Sequence, residues 1–386
     1  MQSFAAFILL SAITSFSASA NGAELSLCSP GRNSPKISFT YASYRTGDLS
    51  HCVEVVEKGL KLGFEAVAIV PSRVFVNGKI ITESTQSDEE IKQCLQIIWD
   101  HKLDLIYQPH VEPEKIIHPD APDAWRGTFD FQPDDQYYNA MFNPFLEWLS
   151  THRKQVLNAH RTIRVIVAAE LERSTTKYPE KWKALTSKMR KNLDELGLSS
   201  LVKIGYNPNW SPHADFKKDE NSCTVFNQFV SSFDFVAPSF YGDWSRPFDS
   251  NHTPRGAEQV STNREQMLEQ LSNYLEAKCK VPAINKLPFS IGEFGVGSEL
   301  DHAERVNWKA MESKDYQTSR RTIFKNFFDW ARLQENASGT SSGFINFWTS
   351  GLFDPFGIRS DEHTIVDDEL VQELSNYKKW RCYSLK

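Results

Sequence analysis

The chain has 386 residues, 40% of them hydrophobic and 24% charged, with a formal net charge of −6. The length accommodates one large barrel, which needs about 250 residues, or several average domains. The acidic balance excludes a broad basic surface, so neither nucleic acid nor anionic lipid is expected as a partner. Aromatic residues reach 12%, with 10 Trp and 26 Phe, enough for a large core with indole rings left over to line a cleft.

From Phe4 to Phe16 the sequence is apolar but too short to span a bilayer, and Ala18-Ser19-Ala20 follows as a small-residue cleavage signal. Residues 1–20 therefore read as a signal peptide, although Met1-Gln2-Ser3 lacks a Lys or Arg. Residues 21–35 form a polar lead, and 36–386 read as a single domain. No later segment suits a membrane anchor, so a secreted or periplasmic location is expected, with the protein a monomer.

Cys28, Cys52, Cys94, Cys223, Cys279 and Cys382 are scattered with no C-x-x-C spacing, which argues against a zinc knuckle or redox pair. Export permits disulfides, but six cysteines allow about 15 pairings, and free buried thiols are an equal alternative for some. Asn251 and Asn336 open sequons that matter only in a eukaryotic source.

Lys36 to Tyr41 alternates as a strand, and Leu49 to Leu62 is spaced as a helix closed by Gly63. The unit repeats. Ala66 to Val70 is a strand, Asp88 to His101 a helix capped by Ser87 or Asp88, and Leu103 to Tyr107 a strand. Further strands are expected at Ile163 to Ala169, Val202 to Tyr206, Phe233 to Pro238, Phe289 to Glu293 and Phe344 to Trp348. Helices are expected over 135–158, 179–196, 222–231, 262–277 and 318–334, with a C-terminal helix over 365–380.

Strands alternating with helices, without a Gly-rich phosphate turn after the first strand, predict an α/β fold, a single (β/α)₈ TIM barrel with a C-terminal helix. The active site of such a barrel lies at the carboxyl ends of its strands. Those ends are polar here. Strand three leads to His110, strand four to Glu170, strand five to Asn207, Asn209 and Trp210, strand six to Tyr241, strand seven to Glu293 and strand eight to Trp348.

Two carboxyl groups facing each other across a barrel mouth suit glycosidic cleavage, where one protonates the leaving oxygen and the other meets the oxocarbenium-like carbon. Glu170 and Glu293 are that pair, although a single Glu at a strand end is more often solvated or salt-bridged. Glu172, Asp234, Asp243, Glu299 and Asp354 read as capping, solvated or structural acids.

Taken together, Ile37-Ser-Phe-Thr-Tyr41, Leu62-Gly-Phe-Glu-Ala-Val67, Gln108-Pro-His110, Trp125-Arg126-Gly127, Ala169-Glu170-Leu171, Asn209-Trp210 and Gly292-Glu293-Phe-Gly295 resemble the clan A glycoside hydrolases, most closely family 113, the β-mannanase-related barrels. The resemblance runs from about residue 36 to 358. It implies Glu170 as acid/base and Glu293 as nucleophile of a retaining enzyme acting on a β-linked polysaccharide, either β-mannan-like or a bacterial cell-wall glycan. The clan's usual Asn before the acid/base is replaced by Ala169, so contact to the sugar 2-hydroxyl is assigned to Asn207 or Asn209. Extra sequence around 243–262 separates this chain from family 113 and leaves the sugar open.

The resemblance also places Tyr241 as hydrogen-bond donor to the nucleophile, Trp348 as stacking platform and His110 at the cleft floor. A half-buried tyrosine, a core indole and a structural histidine are the plainer alternatives. Trp125 and Arg126 suit stacking and a polar contact to substrate, or else an Arg–carboxylate clamp holding the loop. No cofactor is needed and no residue cluster has metal spacing. A catalytically silent glycan-binding barrel is the rival reading, though it is expected to have lost one of the two glutamates. An esterase or amidase lacks support, because no G-x-S-x-G elbow is present.

Overall fold

The computed structural model describes residues 35–44, 47–82, 85–122, 124–159, 161–209, 220–241, 290–296, 314–333, 343–349, 354–359 and 365–382. The strands are β1 (Lys36–Ser43), β2 (Ala66–Val76), β3 (Lys79–Ile81), β4 (Asp104–Tyr107), β5 (His110–Pro113), β6 (Ile163–Ala169), β7 (Val202–Asn207), β8 (Phe235–Val236), β9 (Ser239–Phe240), β10 (Ile291–Phe294) and β11 (Phe344–Phe347). The helices are α1 (Cys52–Leu62), α2 (Asp88–Asp100), α3 (Asp135–Thr151), α4 (Arg153–Asn158), α5 (Glu172–Lys177), α6 (Pro179–Glu195), α7 (Glu220–Val230), α8 (Lys314–Leu333) and α9 (Asp368–Cys382).

The principal sheet runs β8-β7-β6-β4-β2-β1-β11-β10-β9, every neighbour parallel. Its two ends, β8 and β9, are halves of one stretch of backbone, so the sheet closes on itself as the expected TIM barrel. Ala237 N–H reaches the Tyr206 carbonyl on one side, and Ser290 and Gly292 donate to the Val236 and Pro238 carbonyls on the other. The expected strand 233–238 is cut back to Phe235–Val236, and pairing resumes beyond its expected end at Ser239–Phe240, past Pro238, which has no N–H.

Alternation along the strands sorts the core into two shells. Ile37, Phe39, Val67, Ile69, Leu105, Val165, Ile204 and Phe347 face outward and bury against the helices. Ala66, Ala68, Ile106, Ile166, Phe235 and Phe344 fill the barrel's interior. Above them Asn346 donates to Thr40 Oγ1 at 2.7 Å and the Gly292 carbonyl at 2.8 Å, and Asn207 donates to the Ala237 carbonyl at 2.6 Å. This satisfied polar layer separates the apolar interior from the mouth.

Several expectations shift at the edges. The helix expected over 135–158 breaks at His152, whose backbone N–H and ring both turn to the Trp148 carbonyl. The helix expected from Leu49 opens with a 3₁₀ turn, Asp48–His51. Ser87 caps α2 in a reciprocal box with Glu90. β2 continues past Pro71, where its outer part pairs with β3 and β5 as a flap over the mouth. Cys52 and Cys94 form a disulfide joining α1 to α2, and Cys223 is also disulfide-bonded. The expected helix 262–277, the segment 1–34, Asp243, Glu299, both sequons and Trp210 lie outside the described residues. Among the described residues no helix is long and apolar enough to cross a membrane.

Candidate active site

Glu170 follows β6 and Glu293 lies in β10, and each strand carries a register shift, just before Glu170 in β6 and spanning Glu293 in β10. β6 holds one extra residue between Ile166 and Ala168 relative to β7, and β10 one between Ile291 and Phe294 relative to β11. Such irregularities re-aim the side chains in and next to them. Glu170 in addition has φ 53°, a left-handed backbone that a glutamate adopts at a cost of about 1–3 kcal/mol. Gly292 leaves room for Asn207, since a Cβ there would sit 2.0 Å from Asn207 Nδ2. Both carboxyl groups are buried, 5% and 3% exposed.

Their surroundings differ. Glu170 Oε2 accepts from Arg126 Nη1 at 2.9 Å, and Oε1 from Asn209 Nδ2 at 3.2 Å. Burial and the Glu293 charge push its pKa up, against the pull of Arg126 and His110. Glu293 Oε1 accepts from Gln108 Nε2 at 2.6 Å and lies 3.1 Å from His110 Nε2, while Tyr241 donates to Oε2 at 3.3 Å. The Tyr241 hydroxyl is held well above its ordinary pKa by burial and by Glu293, so it serves as a donor. One carboxyl is thus favoured as an acid and the other is ringed by donors that suit an anion.

Four further expected residues gather at the same mouth. His110 is fully buried, its ring stacked on Trp348 at 5.9 Å between centroids and 8° between planes. Trp348 packs with Ala42, Val70, Tyr44 and Tyr241 as an apolar patch. Trp125 is half-buried and lies across Gly127, where an added Cβ would meet the indole at 2.0 Å. Arg126 bridges Glu170 and Glu112, so the carboxylate clamp read as one alternative is present. Of the two asparagines, Asn209 reaches Glu170, whereas Asn207 is fully buried in the barrel wall, bonded to Ala237 and Ser239.

Neither Gln108 nor Glu112 is given a role by the sequence, although Gln108 opens the quoted motif Gln108-Pro-His110. Glu112 enters through the β2–β5 flap and is buried against Arg126 and His110. Glu172 is also buried, 2% exposed, and its backbone-facing oxygen accepts the Asn209 N–H. Asp234 and Asp354 serve structure. Asp234 pairs with Arg190 and accepts the Ile204 N–H, and Asp354 accepts the N–H groups of Phe356 and Arg359.

No protein-family model and no curated protein matches the chain. Solved structures do. The chain is similar to a glycoside hydrolase family 113 β-1,4-mannanase, with TM-score 0.53 and 13% identity over 91% of this chain and 99% of that one. It is similar to the family 113 β-mannanase from Alicyclobacillus acidocaldarius, at 0.51 and 13% over 90% and 97%. A family 5 glycoside hydrolase from Prevotella bryantii matches at 0.50 and 11% over 90% and 97%. At such identities the likeness establishes the shared barrel alone, and the resemblance read in the sequence holds at that level.

Proposed function

We propose that the protein is an exported retaining glycoside hydrolase of the clan A type, cleaving a β-linked polysaccharide. The observation that carries this reading is the pair of buried carboxyls on strands four and seven of one barrel mouth, held in opposite electrostatic settings. Glu293 attacks the anomeric carbon as Glu170 gives its proton to the departing oxygen. Glu170, now an anion, takes a proton from the water that displaces Glu293 and restores both groups. Arg126 and Asn209 hold the acid/base, Gln108, His110 and Tyr241 hold the nucleophile, and Trp348 offers a face for the reacting sugar.

The substrate is β-mannan-like or a bacterial cell-wall glycan. The family 113 neighbours are named as β-mannanases, and the family 5 neighbour is described with a xyloglucan oligosaccharide bound. The Cys52–Cys94 disulfide supports an oxidising, extracytoplasmic setting, in keeping with the signal-like segment 1–20. Purified protein incubated with mannan, glucans, xylan, chitin and peptidoglycan, with NMR of the first-formed anomer, tests the reading. Release of β-configured sugar from one of them is expected. No turnover on any, or α-configured product, rejects it.

A further inference from the structure

A chain of alternating charge joins the two glutamates, and Glu112 stands at its middle. Glu112 Oε1 accepts from Arg126 Nη2 at 2.7 Å and lies 3.3 Å from His110 Nδ1. Arg126 continues to Glu170 through its other terminal nitrogen, at 2.9 Å, and His110 continues to Glu293, at 3.1 Å. Glu112 is 3% exposed and His110 fully buried, so solvent ions screen these contacts little. Among the described residues Tyr44 also faces Glu112, and burial together with the Glu112 charge keeps its phenol above its ordinary pKa.

We propose that Glu112 is the positioning residue that decides which of the two glutamates carries the proton: it neutralises Arg126, which otherwise draws the proton off Glu170, and it holds a proton on His110 beside Glu293. The proposal rests on the roles given above to Glu170 and Glu293. Mutual repulsion of two buried carboxylates favours a proton between them but does not choose its place. Glu112 makes the choice because its two cationic contacts lead one to each glutamate.

The charge count shows how. With Glu170 protonated, two cations, Arg126 and the His110 imidazolium, balance two anions, Glu112 and Glu293. Removing the Glu112 charge leaves one buried positive charge in excess, which is relieved by losing a proton from Glu170 or from His110. The first loss removes the acid, and the second strips Glu293 of its cationic neighbour. In the intact site burial and Arg126 pull the His110 pKa down, yet Glu112 and Glu293 lift it above its ordinary value. Arg126 and His110 in turn hold Glu112 below the usual carboxylate range against its burial.

The test uses the full chain carrying Glu112→Gln, which keeps shape and removes charge, with Glu112→Asp as the charge-retaining control. Two readouts are taken, the NMR titration of the His110 ring nitrogens in the free protein and the pH profile of kcat/KM on the aryl β-glycoside that the wild type cleaves best. In Glu112→Gln the His110 titration and the basic limb should both fall by about one pH unit or more, as expected for losing a charge within about 4–6 Å. Glu112→Asp should recover at least half of each shift. Should Glu112→Gln not fold, Arg126→Gln carries the same test with the opposite sign, because the freed Glu112 then acts on His110 alone and both readouts should rise. A His110 titration and a basic limb that stay in place while only the rate falls would overturn the proposal. If the wild type cleaves no glycoside, the proposed activity has failed, and the His110 titration still decides whether Glu112 governs the proton.

Discussion

Glu172 accepts the backbone N–H of Asn209 and so fixes the residue whose side chain donates to Glu170. Its second oxygen is buried and has no hydrogen-bond partner among the described residues, and burial, with the Glu170 charge added, pushes its pKa from 4.5 to about 8. A carboxyl raised in this way binds its proton more tightly folded than unfolded. Its contribution to stability is full below the unfolded value and is lost as pH rises toward about 8. Glu172→Gln keeps an acceptor for Asn209 and removes the titration. Denaturant unfolding between about pH 5 and pH 8 should therefore show the wild type losing ground to the variant, by up to about 1.4 kcal/mol per pH unit. Parallel stability curves would show that Glu172 is ionised throughout.

Gly292 is required by a close approach. A Cβ at this position would lie 2.0 Å from Asn207 Nδ2 and 2.3 Å from the Ala237 carbonyl oxygen. Neither can retreat easily, since Asn207 is hydrogen-bonded to that same carbonyl at 2.6 Å in the strand that closes the barrel. Gly292→Ala should cost about 1–3 kcal/mol in unfolding free energy. Because the displaced backbone carries Glu293, activity should fall about 100-fold or more, as for a misplacement of about 1 Å. A variant with wild-type stability and turnover would mean that the barrel wall yields at this point.

The two glutamates were legible because a parallel barrel puts its chemistry at strand ends, and strand ends can be read from apolar runs. Glu112 was not. It acts through the flap in which β2 runs on beyond Pro71, and a proline in an apolar run reads as the end of a strand because it offers no N–H to the ladder. Here Pro71 instead stands where β2 leaves β1 and turns to pair with β5. The register shifts before Glu170 and around Glu293 were equally hidden, since a bulge depends on how one strand counts against its neighbour. Asn207 and Asn209 looked alike at the end of one strand. Which faces the barrel wall and which the mouth is decided by where β7 stops.

Tyr241 donates to Glu293 from just past the end of β9, the strand beside β10. Tyr241→Phe retains the packing against Trp348 and deletes only the hydroxyl. A hydrogen bond to a charged group contributes about 1.5–3 kcal/mol, so kcat/KM should fall about 10- to 150-fold. The loss should appear in kcat with KM little changed, because the bond supports the charge on the nucleophile and not the resting substrate. A change confined to KM would instead make Tyr241 part of the sugar-binding wall.

The two glutamates should fail differently when truncated, because only one must protonate the leaving group. Glu293→Ala should abolish turnover on every substrate, since no covalent intermediate can form. Glu170→Ala should still be glycosylated by an aryl glycoside whose leaving group is a weak base and departs without a proton. The intermediate should then accumulate, since the group that activates water is missing too. Azide attacks without needing a base, so it should rescue Glu170→Ala and give the β-glycosyl azide with retained configuration. In Glu293→Ala azide takes the place of the missing carboxylate, and the product should be the inverted α-azide. The opposite pattern would exchange the roles of the two residues, and wild-type rates in both variants would place the chemistry elsewhere in the mouth.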